Sequence, residues 1–576
     1  MGNSTGNAKI YWDAIWNFEQ DKGLRSIQGG YVWDWMDQAL VDPNNALRIN
    51  CYGGDFGPES GVGDAQFCIN GLIFADRTPH PGLKEMWKVQ APILFQMKGG
   101  LNLSFNDPPK RLTITNRYRF MNLDHVNITY KYMKESQNKN NNEIIQQGVY
   151  NLKNDFEHKS GDIFTPGGIY ICKKTFNEMK IEIEQEMMNN DSTNTDDLYV
   201  LEISAVLKLE HRSTWKSSQH LVAFERFYLQ EREEEMHTSA SKPISNTSMA
   251  ARVTMQEINN DVTDQMEYVI QGKTYTIVFN QTTGTFIHLL DSQNNVIINK
   301  CNHSFFRAAT DNDNGGLSPE LVGESLITCL KQMDRLFGTT LSQEGITASS
   351  FHTWWREIGL NHCKTFDMKP GKKKKQIMIA FDFFFFSLTT PKFFFLFFLF
   401  LPFFLFIFIS FTQHSFFPSA TITHTDAQTT LVQEQMVRAI HPDGTLNKKV
   451  NNILFTIKTT WNFLPTSYQI FINIEAQKGI AVVPSLPRVG YHMELASQLT
   501  HARYRGYGPH ACYSDRQMST YDGIHDLHVD TCHVPYVVPS ENGGRCNCKW
   551  ISMYDRYVLI LHYKAKRACI VYMEAL

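Results

Sequence analysis

The chain has 576 residues, 42% of them hydrophobic, 20% charged and 13% aromatic, and carries a formal net charge of −3. That length suffices for about three or four domains with separate cores, and the near-neutral balance excludes a dedicated nucleic-acid binder, which would show a clustered basic excess. Eleven cysteines are scattered from Cys51 to Cys569 with Cys546 and Cys548 as the one close pair, so reduced thiols are expected rather than a structural zinc site.

In chain order, no secretory pattern opens the sequence, which gives a cytoplasmic expectation. Met1-Gly2 is followed by Gly6 where N-myristoylation needs Ser or Thr. Ile10, Tyr11, Ala14, Ile15 and Phe18 recur at the spacing of an amphipathic helix. Gln28 to Trp35 reads as a short strand, with Tyr31, Trp33 and Trp35 on one side and Val32 and Asp34 on the other. The stretches YGGDFG (52–57) and FADRTPHPG (74–82) are loop-like, the second stiffened by Pro79 and Pro81.

From 91 to 235 short alternating segments dominate: LNLSFND, RLTITNRYRFMN, NITYKYM, LYVLEISAVLKL and HLVAFERFYL. They predict an antiparallel sandwich of immunoglobulin type, with KESQNKNNNEIIQQ as a solvated loop. A Ser/Thr-rich stretch at 236–254 reads as a linker. Residues 255–576 predict a large all-β domain that starts with a run of hairpins from Glu267 to Ile298. A Phe-rich insertion at 371–420 interrupts it. Phe393 to Phe411 is uncharged and long enough to cross a bilayer. Translated non-coding sequence, since A-rich and T-rich DNA encodes runs of Lys and Phe, is the stronger reading; a membrane helix would put the two halves of one β domain on opposite sides of a membrane, and an unstructured insertion is a third reading.

The densest run of unusual residues is QGGYVWDWMDQ (28–38). Trp33 offers a flat apolar face of the kind that supports a sugar ring, and Asp34 and Asp37 can hydrogen-bond hydroxyls or support neighbouring groups. The alternative is a tryptophan pair packing the end of a barrel. Asp311–Gly316 reads by itself as an ordinary turn.

Five strings occur in order: GGYVWDWMDQAL, YGGDFG, QFCINGLIFADRTPHP, RAATDNDNGG and PYVVPSENGGRC. Together they closely resemble the large β-galactosidases of glycoside hydrolase family 2, from Met1 to about Trp550 outside the Phe-rich region. The resemblance implies a multidomain chain: the C-terminal remnant of a (β/α)8 barrel (1–90), an immunoglobulin-like β-sandwich (91–235), the linker, and a large β-sandwich (255–576). It also implies retaining hydrolysis of terminal β-D-galactosides such as lactose by two carboxylates.

Met1-Gly2-Asn3-Ser4 matches the end of the nucleophile motif. The nucleophilic Glu is therefore expected just upstream of Met1, with the general acid and most Mg2+ ligands further upstream. Glu19 and Glu59 read as solvated. By resemblance, Trp33 lies beneath the galactose ring. The Phe67 carbonyl and the Asn70 side-chain oxygen are ligands of a Na+ ion that receives the sugar's 6-hydroxyl, a partial site whose carboxylate comes from upstream. Gly315 is the hinge of a mobile loop over the site. A β-galactoside partner and a homo-oligomer are implied.

Two departures stand out. The motif Gly-Pro-x-Glu-x-Tyr-x-Asp-Arg reads GPHACYSDR, with Ala511 at the Glu position, and the sequence after Trp550 leaves the family pattern. The expectation is a β-galactosidase lineage without hydrolysis by the chain as written. A non-catalytic carbohydrate-binding or assembly module and a single-pass membrane protein are the alternatives.

Overall fold

The computed structural model describes residues 5–22, 29–42, 44–45, 50–56, 68–97, 102–104, 111–136, 142–158, 169–173, 198–209, 220–230, 252–260, 265–280, 286–310, 313, 355–356, 360, 364–367, 421–425, 428–438, 454–477, 486–537, 540–555 and 558–572. The 371–420 insertion, nearly all of the 236–254 linker, Phe67 and Gly315 lie outside them. Among the described residues no helix is long and apolar enough to cross a membrane.

The first part carries three helices: α1 (Ala8–Lys22), α2 (Gly53–Phe56) and α3 (Pro81–Val89). Pro81 opens α3, where its fixed φ suits a helix start and its missing N–H costs nothing. Ala8 and Trp12 of α1 pack on Met86 and Val89 of α3 and on Leu72. Ile10 and Tyr11, expected on the apolar face of α1, are exposed. The strand expected at 28–35 does not form over the described residues 29–35, where only isolated bridges follow, Met36 with Ile73 and Leu40 with Cys51. Alternation describes side chains, but a strand also needs a ladder partner. Here the backbone from Asp34 onward bonds to a loop instead.

A β-sandwich follows. Its strands are β1 (Ile93–Met97), β2 (Asn102–Ser104), β3 (Leu112–Asn116), β4 (Val126–Glu135), β5 (Glu143–Tyr150), β6 (Phe156–His158), β7 (Ile169–Cys172), β8 (Leu198–Leu207) and β9 (Leu221–Gln230), with a short α4 (Leu152–Asp155) before β6. One sheet runs β1-β3-β7-β6 and the other β2-β9-β8-β4-β5. Phe95, Ile114, Tyr170, Ile128, Ile203 and Phe227 meet between them. Within the solvated loop expected at 134–147, residues 134–135 end β4 and 143–147 belong to β5, while 137–141 lie outside the described residues. β5 pairs with β4 as a sheet edge, and its mostly solvated, Gln-containing sequence hid the alternation.

The remaining strands are β10 (Thr254–Asn260), β11 (Gln265–Gln271), β12 (Tyr275–Asn280), β13 (Phe286–Asp291), β14 (Val296–Ser304), β15 (Lys364–Asp367), β16 (Thr421–Thr425), β17 (Gln428–Arg438), β18 (Phe455–Leu464), β19 (Ser467–Ala476), β20 (Gly490–Leu495), β21 (His501–Gly508), β22 (Tyr521–His528), β23 (Gly544–Asp555) and β24 (Val558–Tyr572). They form three sheets: β10-β11-β12-β13-β14-β20, then β15-β17-β18-β19 with β16 also on β17, and β22-β21-β23-β24. β18 shows the period-2 rule plainly, burying Phe455, Ile457, Thr459, Trp461 and Phe463. Trp461 stacks on Phe286 (5.8 Å, 15°) and meets Phe279 edge-on (5.2 Å, 77°) within a core to which all three sheets contribute. β15 and β16 share one edge of β17: Asp367 stands opposite Gln435 and Thr421 opposite Val432.

Two buried carboxylates tie the parts together. Glu85 of α3 accepts from the Met518 N–H (3.0 Å), the Ser519 N–H (2.9 Å) and the Ser519 hydroxyl (2.9 Å). Glu135 at the end of β4 accepts from Arg226 Nη1 and, through its other oxygen, from the Ile524 N–H, both at 2.9 Å. Arg226 also donates to Glu202 (2.9 Å) and lies 3.8 Å from the Tyr521 ring centroid.

Burial holds the His303 and His525 imidazoles down to about 4. In the unfolded chain they protonate near 6.5, so the unfolded state binds more protons between those values and stability rises with pH across that window. Lowering pH from 7 to 4 is expected to remove on the order of 3 kcal/mol per histidine. Urea midpoints at pH 4.5, 5.5 and 7 check this. A midpoint independent of pH, or no shallower fall in the His303→Gln chain, would refute it.

Candidate functional site

Residues 34–38 and 68–73 are joined by a dense set of backbone hydrogen bonds. The Asp34 N–H donates to the Asn70 carbonyl (3.1 Å), and the Leu72 N–H donates to the carbonyls of Asp34 and Trp35 (3.0 Å each). The Asp37 N–H reaches the Ile73 carbonyl (3.0 Å), and the Gln38 N–H reaches that of Cys68 (3.0 Å). Glycine at 71 makes this possible. A Cβ there would stand 2.2 Å from the Asp37 nitrogen and 2.3 Å from the Met36 carbonyl carbon.

Asp37, 1% exposed, locks the junction. Its Oδ1 accepts from the Gly71 N–H (2.7 Å) and its Oδ2 from His80 Nε2 (3.2 Å). The His80 ring packs on Phe74 (3.7 Å between centroids) and edge-on to Tyr536 (5.5 Å). Asp34 binds the Trp35 N–H and Gln38 Nε2 within its own turn. Both aspartates therefore support neighbouring groups. Trp33, joined to Asp34 by a cis peptide, keeps its ring 75% exposed on this anchored segment.

Asn70 Oδ1 is buried and has no hydrogen-bond partner among the described residues. Leaving such an acceptor unsatisfied costs about 1–3 kcal/mol. An uncompensated amide oxygen is the donor a hard cation takes, so Asn70 fits the sodium ligand that the sequence suggests. Among the described residues no three His, Cys, Asp or Glu side chains converge on a metal site. Phe67, Gly315, Glu59 and the Glu19 side chain fall outside the description. Sequence reasoning missed Gly71, His80 and Glu85. The alternating Pro-His-Pro at 79–81 was the one signal available for His80.

Residues 271–569 match the family model of the β-galactosidase small chain, and residues 1–95 match the TIM barrel domain of glycosyl hydrolases family 2. The first match covers more than half of the chain. The chain belongs to the β-galactosidase family. It is 25% identical to the β-galactosidase of Vibrio cholerae over 96% of this chain and 39% of that protein. Against the β-galactosidase of Oenococcus oeni the identity is 23%, over 95% of this chain and 39% of the relative. For the Pectobacterium atrosepticum β-galactosidase it is 24%, over 97% and 40%. The chain thus spans about two fifths of the length of the curated relatives it matches. Within this β-galactosidase family chain, the barrel-domain match holds α1–α3 and the whole Trp33–Asn70 junction, and the small-chain match takes in β12 to β23.

Proposed function

We propose that this chain supplies the sugar-holding part of a β-galactosidase site, with Trp33 beneath the galactose ring and Asn70 as a sodium ligand. The observation that carries the reading is the hydrogen bond from the Asp34 N–H to the Asn70 carbonyl. It ties the residue that follows the exposed Trp33 to Asn70, whose side-chain oxygen is buried and uncompensated. Asn70 Oδ1 would be one ligand of a sodium ion, which when bound would supply a hard positive charge for a sugar hydroxyl. The chain's own residues orient: Asp37 and His80 hold the two segments in register, and Trp33 covers the apolar face of the sugar. The Phe67 carbonyl and the Gly315 loop complete the same reading by resemblance.

Retaining hydrolysis needs a proton donor and a nucleophilic carboxylate about 5 Å apart. Asp34 and Asp37 are both engaged with neighbouring groups, so neither takes those roles. The reading is galactoside binding by this chain, with hydrolysis dependent on carboxylates other than these two. Calorimetry with galactose is expected to show saturable, sodium-dependent binding, and a chromogenic β-galactoside is expected to show no turnover. Trp33→Ala should weaken galactose binding roughly tenfold, about 1.4 kcal/mol, without moving the thermal midpoint. Robust turnover by the chain alone would overturn the division of labour; unchanged galactose affinity in Trp33→Ala would overturn the platform.

A further inference from the structure

We propose that the cavity between α3 and the sheet carrying β21–β23 is a binding site for a phosphate group, distinct from the galactoside reading and independent of it. The cavity is about 370 Å³ and is lined by Lys84 and Pro81 from α3, by His510 and Ala511 from the loop after β21, and by Arg545 from β23. Two cations meet there without a counter-ion. Among the described residues neither Lys84 nor Arg545 has a carboxylate partner.

Arg545 is 3% exposed. Its Nε donates to the Tyr504 hydroxyl (3.0 Å) and its Nη1 to the carbonyls of Gly543 (3.0 Å) and Gly544 (3.2 Å), while Nη2 has no acceptor among the described residues. Burying a guanidinium against neutral acceptors alone is costly, and an anion offsets that cost. Burial and the charge of Arg545 both push the Lys84 ammonium below its ordinary range. Burial, with Lys84, Arg516 and Arg545 nearby, holds His510 at about 2, so it stays neutral.

The remaining charges near the cavity are accounted for. Asp526 also lines it, but its carboxylate is 62% exposed and faces Arg503 at 3.8 Å. Glu85, next to Lys84 on α3, is satisfied by Met518 and Ser519. The Ser519 hydroxyl donates to Glu85 and lies 2.9 Å from His510 Nε2, which donates to it in turn. Ala511, on the cavity wall, brings no acid to it. An ammonium and a free guanidinium nitrogen suit a tetrahedral dianion, and the volume leaves room for a small substituent on it.

The test is calorimetry of the full chain in a phosphate-free buffer, titrated with inorganic phosphate in one arm and a sugar monophosphate in the other. Saturable one-to-one binding is expected, with the tighter arm identifying the source. Lys84→Gln should weaken it at least tenfold, and Ala511→Glu should abolish it by placing a carboxylate among the cations. Lys84 is partly exposed, so its variant keeps the test valid if Ala511→Glu fails to fold. No saturable heat in either arm, or an unchanged isotherm in folded Lys84→Gln, would overturn the proposal.

Discussion

Gly71→Ala is expected to destabilise the chain by on the order of 3–5 kcal/mol and to abolish galactose binding with it. The added methyl would meet backbone atoms of Met36 and Asp37 at 2.2–2.3 Å, so no side-chain rotation relieves it. The two segments must separate, and the bonds from the Gly71 N–H to Asp37 and from the Asp34 N–H to Asn70 go with them. Trp33 and Asn70 then lose their common anchor. Gly490→Ala is the matched comparison: its nearest contact would be 3.5 Å, and its effect should be small. Urea unfolding followed by tryptophan fluorescence reads both, and equal midpoints would show that the close approach does not exist.

Glu135→Ala should cost about 3–5 kcal/mol, because it leaves Arg226 buried with half its compensation and orphans the Ile524 N–H. Glu202 still faces Arg226, so the loss is bounded by that remaining pair. The effect should extend beyond one sandwich, since Glu135 lies on β4 and Ile524 on β22. Combining it with Arg226→Met should recover part of the loss, as removing both partners of a buried pair costs less than stranding one. A loss below about 1 kcal/mol would mean the junction is solvated.

What the sequence disclosed follows from where each signal resides. β4, β8 and β9 put apolar side chains such as Ile128, Ile203 and Phe227 into one core, so their apolar segments are legible in the sequence. β5 is an edge with little to bury, and its polar sequence reads as loop. Trp33 stood out in the dense aromatic run 28–38, but its proposed place beneath galactose, and Asn70 altogether, came through motif resemblance, since an exposed indole and a single amide have no periodicity. Gly71, Asp37 and His80 act through a contact between residues more than thirty positions apart. No local pattern encodes such a contact; only the folded chain displays it.

The split edge of β17 has a consequence for how this chain tolerates extra length. Asp367 and Thr421 stand opposite Gln435 and Val432, which have two residues between them on β17, whereas the chain from 368 to 420 is 53 residues long. β15 and β16 are two halves of what a shorter chain would make as one continuous strand. Closing even a wholly unstructured loop of that length costs only about 2 kcal/mol more than closing one of five residues, because the entropy grows with the logarithm of length. Thermodynamics barely registers an addition at such a point. The register of the sheet marks where the chain leaves β15 and where it rejoins the edge at β16.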